Sequence, residues 1–181
     1  MHSMARHASP VPIPFAVEGR SLRGGRILIA SGARPVPLRF PGAEHAITSD
    51  AFMELERLPE RIAMVGGGYI AAEFSHIAAR AGARVTVLQR GERMLPNFDA
   101  ELVGWLMEKF SEIGVDVRTR NTVTAVERFG REFRVHTQTP QGEGVVAADL
   151  VVHAAGRLPD IDELNLPAAN VWMIASPCPT A

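Results

Sequence analysis

From Arg61 onward the apolar residues switch between two spacings, and the switching predicts a succession of strands and helices. Arg61–Val65 (RIAMV) carries a short apolar run and predicts the first strand. Over residues 69–81, Ile70, Phe74, Ile77 and Ala81 recur at helical spacing and predict one apolar helix face. Gly82 follows, where a left-handed residue ends a helix. Residues 84–89 (RVTVLQ) are β-branched and apolar and predict a second strand. Asp99 is placed to cap a helix over residues 100–113. Its predicted buried stripe is Leu102, Val103, Leu106, Phe110 and Ile113, and Gly114 closes it. Val115–Arg118 is a third strand. Strand, helix, strand, helix, strand at this spacing predicts a parallel sheet with right-handed crossovers.

Beyond this unit the pattern changes. Residues 122–128, 132–137 and 144–148 are strand-like, with turn signals at Phe129-Gly130 and at Pro140 to Gly142 between them. They predict an antiparallel meander. Residues 150–154 (LVVHA) then read as a buried strand returning to the parallel sheet. Upstream, residues 26–30 (RILIA) predict a short strand, ended by Ser31-Gly32 and Pro35. The proline-rich stretch over residues 35–42 reads as a connector. Thr48-Ser49-Asp50 can cap a short helix over residues 51–58, closed by Pro59, where the main domain is expected to begin.

The chain has 181 residues, room for one domain with a core or one domain plus part of another. Its net charge of −1 predicts no nucleic-acid footprint. No apolar run approaches the roughly 20 residues that span a bilayer, so no membrane association is expected. The first residues lack the apolar centre of a secretory signal; with Pro10, Pro12 and Pro14 they read as a loose lead-in, a tag remnant or a spurious start. A cytoplasmic location is the expectation. The one cysteine, Cys178, lies between two prolines, can form neither an intramolecular disulfide nor a CxxC centre, and reads as an exposed thiol. The histidines show no metal-ligand spacing, and His153, inside an apolar strand, reads as a core residue.

Chemistry concentrates at Gly66-Gly67-Gly68, between the first predicted strand and helix. This is the strand–turn–helix arrangement that cradles a dinucleotide pyrophosphate. Gly66 would turn the chain sharply, Gly68 would let a phosphate approach the backbone, and Ala71 would let the helix pack close to the strand. The N–H groups of the first helical turn, those of Tyr69 and Ile70 among them, would face the phosphates. At the tip of the second strand an acidic residue would bind the ribose of NAD(H). Gln89 and Arg90 stand there instead, with Arg93 close by. Guanidinium groups favour a 2′-phosphate, so NADP(H) is expected over NAD(H). Glu92 could still swing toward a ribose hydroxyl, and the bland alternative is that Arg90 and Arg93 are solvated surface residues. Tyr69 and Glu73 share a helix face near the cofactor, which by spacing alone fits a packed tyrosine and a surface glutamate as well as a functional pair.

Residues 47–74 (ITSDAFMELERLPERIAMVGGGYIAAEF) resemble the glutathione reductase branch of the pyridine nucleotide-disulfide oxidoreductases. That branch includes glutathione, mercuric and trypanothione reductases and dihydrolipoamide dehydrogenase. Residues 27–35 (ILIASGARP) resemble the ATG segment of that family, with Ser31 in place of Thr. Residues 154–166 (AAGRLPDIDELNL) resemble its GRxPN segment, with Asp160 in place of Asn. The resemblance runs from about Val17 to Leu166. It implies that Tyr69 is the tyrosine covering the flavin, that Glu73 lies beside the nicotinamide carboxamide, and that Gly156 and Arg157 mark the return into an FAD domain. Gln89 falls where NAD-dependent members carry Glu, and Arg90 where NADPH-dependent members carry Arg. A second family arginine aligns with Pro96, with Arg93 as a possible substitute.

The family's first FAD-binding GxGxxG and its CxxxxC redox pair are not in this sequence. The later FAD-binding Gly-Asp segment and the interface domain with its catalytic His-Glu are likewise not in it. The expected fold is therefore α/β: a Rossmann-like parallel sheet with a three-stranded antiparallel meander, plus remnants of an FAD domain. The expected division is a lead-in over residues 1–16, an FAD-domain remnant and connector over 17–58, an NAD(P)H-binding domain over 59–155, and re-entry with a divergent tail over 156–181. The implied parent is a homodimeric flavoprotein that passes hydride from nicotinamide to FAD and then to a disulfide. The chain alone, without a redox pair, is expected to lack that activity and to hold no FAD. The rival readings are a degenerate dinucleotide-binding module without catalysis, and an NAD-dependent parent like dihydrolipoamide dehydrogenase.

Overall fold

The computed structural model describes residues 13–17 and 19–171. Cys178 and the prolines at positions 10 and 12 lie outside them. The described residues form two compact units, one made of residues 13–33 and 159–171 and the other of Arg34–Leu158.

In the first unit, β1 (Ile13–Val17) and β2 (Arg20–Gly24) form an antiparallel pair, with Val17 opposite Arg20. Residues 26–30 form no strand. A strand needs a lateral partner for its N–H and C=O groups, and none of the described strands pairs with this segment; Leu28 is 90% exposed. The short strand comes later, as β3 (Ala33–Pro35), which pairs with β12 (Arg157–Pro159).

The second unit is layered. After β4 (Ala46–Ile47) comes α1 (Ser49–Met53), capped by the Thr48 side chain, which accepts from the Ala51 N–H. The cap matches expectation, but the helix stops at Met53 and not near Leu58; Leu55 and Leu58 instead pack on the core as irregular chain. Then follow β5 (Arg61–Val65), α2 (Tyr69–Arg80), β6 (Arg84–Leu88), α3 (Ala100–Glu112) and β7 (Val115–Arg118). The meander is β8 (Thr122–Phe129), β9 (Glu132–Thr139) and β10 (Gly142–Ala148), and β11 (Leu150–His153) returns. The parallel sheet has the order β4-β11-β5-β6-β7, and the antiparallel sheet the order β10-β9-β8.

Period-two alternation builds two cores. Ile62 and Met64 of β5, Val85 and Val87 of β6, and Val152 of β11 pack with α2 and α3, around the fully buried Phe110. The intervening residues Ala63, Val65, Leu88 and Val151 pack with Val126, Val135, Val146 and Ala148 of the meander. Helices, parallel sheet and antiparallel sheet thus form three layers.

Two helix faces differ from expectation. The face of α2 on the sheet is Ile70, Ala71, Ser75 and Ala78, while Ile77 is 56% exposed and Ala81 is exposed. Small residues occupy the close approach to the strands, and the larger Ile77 is turned outward. On α3, Val103 and Phe110 are buried but Leu102 is exposed.

The entry end of the sheet is closed by ion pairs. Arg61 makes a two-pronged contact with Asp149, Nη2 to Oδ1 at 2.6 Å and Nε to Oδ2 at 3.1 Å, and a third bond from Nη1 to Glu132 Oε2 at 3.0 Å. This ties the start of β5 to the β10–β11 junction and to β9. The guanidinium's hydrogen bonds hold the Asp149 carboxyl below the usual carboxylate range and push Arg61 higher still.

Candidate dinucleotide site

The site is built at the carboxyl ends of β5, β6 and β11, where ligands bind in open parallel sheets. The chain leaves β5 through Gly66, whose φ of +106° is left-handed territory. A Cβ there would lie 2.5 Å from the Ala154 carbonyl oxygen, so only glycine fits. The Gly66 N–H is held by the Leu88 carbonyl at 2.9 Å.

Gly68 is different. It is the N-cap of α2, with an ordinary extended backbone (φ −83°, ψ −171°). A Cβ there would meet only the Ala154 oxygen, at 3.8 Å. Neither its conformation nor its neighbours require glycine. Helix α2 makes its first internal bond from the Ala72 N–H to the Gly68 carbonyl, so the preceding N–H groups of its first turn have no intrahelical acceptor. They carry the positive end of the helix dipole. The Ile70 side chain is buried, leaving its backbone N–H as what it can offer a ligand; Tyr69 is 53% exposed, and Glu73, one turn on, is exposed.

Gln89 is placed otherwise than a ribose-binding residue would be. It is 2% exposed, and its side chain turns back into the glycine turn. Its Oε1 accepts from the Gly67 N–H at 3.0 Å, and its Nε2 donates to the Arg93 carbonyl at 3.2 Å. Arg90 is exposed at the strand tip. Arg93 donates from Nη2 to the Pro96 carbonyl at 2.6 Å, while its Nη1 is buried and has no partner among the described residues. Glu92 is paired with Arg120 at 2.9 Å.

Arg120 and Asn121 were not anticipated. Their N–H groups bond the Gly91 and Gln89 carbonyls, at 2.9 and 3.0 Å, which lays the end of β7 along the arginine-bearing loop. The adjacency of parallel strand tips was the signal that could have found them. A cleft of about 520 Å³ opens here, lined by Gly66, Arg90, Asn121 and Ala155 and on its far side by Val36, Arg39 and Phe40. The connector's part in it carries no signal in the sequence. Gly156 has φ +118° and accepts from the Val36 N–H at 3.1 Å. His153 is buried, as expected of a core residue. Its Nδ1 accepts from the Ala155 N–H at 3.1 Å, so its Nε2–H faces the Val36 carbonyl, at 2.5 Å. Both contacts hold residues that line the cleft, Val36 and Ala155.

Residues 7–173 match the family model described as pyridine nucleotide-disulphide oxidoreductase. The chain belongs to the pyridine nucleotide-disulphide oxidoreductase family. A glutathione reductase from Burkholderia cepacia is 41% identical over 162 residues, 90% of this chain and 35% of that protein. A mercuric reductase from Staphylococcus aureus is 35% identical over 157 residues, 86% of this chain and 29% of that protein. Among solved structures, the HOCl-induced flavoprotein disulfide reductase RclA from Escherichia coli superposes with a TM-score of 0.76 at 26% identity, covering 89% of this chain and 37% of that one. The chain thus spans about a third of the length of these oxidoreductases. The match extends beyond Val17 and Leu166 at both ends.

Proposed function

We propose that this chain binds NADP(H) at the Gly66–Gly68 turn and, within a longer flavoprotein, positions nicotinamide for hydride transfer to FAD. The observation that carries the reading is Gly68. Its freedom from any internal demand for glycine is accounted for by a phosphate approaching the backbone at the N-terminus of α2. The orphaned Nη1 of Arg93 supports the 2′-phosphate, because a buried guanidinium donor left unpaired is costly and a phosphate oxygen would satisfy it. Arg90, at the tip of β6, would supply the second cation. The cleft volume lies within the range of small-molecule sites, and its position suits the adenosine half of the dinucleotide.

Bound NADPH would supply a hydride from nicotinamide C4. The chain's own part would be orientation: N–H groups of α2 on the pyrophosphate, Tyr69 and Glu73 on the exposed face toward the nicotinamide. The flavin, the disulfide acceptor and a dimer partner would come from the rest of the parent protein. No helix of the described residues is long and apolar enough to cross a membrane.

Calorimetric and thermal-shift titration with NADPH and NADH tests this. Ligand at 100 times Kd should stabilise the fold by about 2.7 kcal/mol, with NADPH the tighter of the two. No response to either cofactor would favour the degenerate module. Tighter NADH would sink the Arg93 argument and favour the NAD-dependent parent. Disulfide turnover with NADPH is expected to be absent from the pure chain, and its appearance would refute the division of labour proposed here.

A further inference from the structure

We propose that Gln89 is a positioning residue that sets cofactor preference by fastening the arginine-bearing loop to the glycine turn, an inference that rests on the NADP(H) reading above. The Gly67 N–H can only donate and the Arg93 carbonyl can only accept, so one orientation of the Gln89 amide satisfies both. Gly67 is held from its other side as well, since its carbonyl accepts from the Leu95 N–H at 2.8 Å. Both backbone groups of the middle glycine are therefore taken by the segment from Gln89 to Leu95. That segment is itself pinned, because Met94 and Leu95 are buried in the core.

The neighbouring glycines are cut to fit this side chain. A Cβ on Gly67 would stand 3.0 Å from Gln89 Cβ and Cγ, and a Cβ on Gly91 would stand 2.8 Å from Nε2. Gly91 has no left-handed φ, so its small size answers to the amide and not to its backbone. A carboxylate at position 89 could still accept from Gly67. It would face the Arg93 carbonyl with a second acceptor, and the loop would be pushed away. An amide keeps the two phosphate-binding segments in one arrangement, with Arg93 held in place beside the cradle. Gln89 itself, buried and with both amide atoms engaged, does not read the ribose directly.

The test compares the full chain with Gln89→Glu and Gly91→Ala, titrating each with NADPH and NADH and following hydrogen exchange at the Gly67 amide. Gly91→Ala displaces only the end of a flexible side chain, so it keeps the test alive if Gln89→Glu does not fold. The clamp predicts that both variants lower the NADPH-to-NADH affinity ratio by about three- to tenfold, the factor one hydrogen bond commands. NADH affinity should change less than twofold to threefold, and the Gly67 amide should exchange faster. An unchanged ratio, or an equal fall for both cofactors, overturns the proposal and leaves Gln89 a fold support. If the unaltered chain binds neither cofactor, the functional reading fails by itself. Exchange at Gly67 then decides the clamp alone: faster in the variants upholds the fastening, unchanged overturns it.

Discussion

The two ends of the parallel sheet are finished in opposite ways. At the entry end, Arg61 is bonded to Asp149 and Glu132, and Arg84 to Glu60 at 2.5 Å. At the carboxyl end, the first N–H groups of α2 and the Nη1 of Arg93 have no acceptor among the described residues. Exposed helix N–H groups are satisfied by water or a ligand, whereas a buried donor such as this Nη1 is costly to leave unpaired. The same β-strands therefore carry a sealed end that holds the layers together and an open end suited to an anion. Within the open end, the fold demands glycine at position 66 and makes no such demand at position 68.

Substitutions can break this contrast. The largest effect is expected from Gly66→Ala, which meets both a left-handed φ and the Ala154 carbonyl. It should cost about 2–4 kcal/mol of stability, read from urea unfolding. Gly68→Ala should change unliganded stability by less than about 1 kcal/mol while weakening NADPH binding about tenfold or more. A stability loss as large as that of Gly66→Ala would dissolve the distinction between the two glycines. Arg93→Met should weaken NADPH about tenfold and NADH little, as expected for loss of a charge-assisted bond to phosphate; equal weakening would place Arg93 outside the 2′-phosphate site.

At the sealed end the effects are smaller and depend on pH. The Asp149 pKa is lowered in the folded state, chiefly by hydrogen bonds from Arg61. Its contribution is thus fully present above the unfolded carboxylate value of about 3.9 and is lost as pH falls below it. Asp149→Asn should lower Tm by about 2–4 °C at pH 7, and the difference should shrink in melts recorded toward pH 3. A constant difference across that range would show that shape and not charge matters at this position. Glu60→Gln should scarcely move Tm, because both partners of that pair are exposed.

Much of this architecture is readable along the chain. The limits of β5, β7 and the start of α2 follow from apolar runs bounded by glycines, and the meander follows from turn signals between β-branched segments. The misread faces have a common cause. Periodicity weights large apolar residues, yet α2 meets the sheet through Ala71, Ser75 and Ala78, where only small side chains allow close approach. Leu102 and Ile77 are apolar but face outward. The segment over residues 26–30 has the composition of a strand without a described partner to make it one.

The linear order of residues was sufficient for the βαβ plan, the glycine turn and the arginines beyond β6, because these depend on local spacing and backbone freedom. Which glycine of that turn the fold demands depends on what each absent Cβ would touch, and those atoms belong to Ala154 and Ala155, just past β11 and far along the chain. The same holds for Gln89. A polar residue at a strand tip reads as facing a ligand, and only the folded path, which brings the Gly67 N–H and the Arg93 carbonyl to the two ends of one amide, turns it into a fastening.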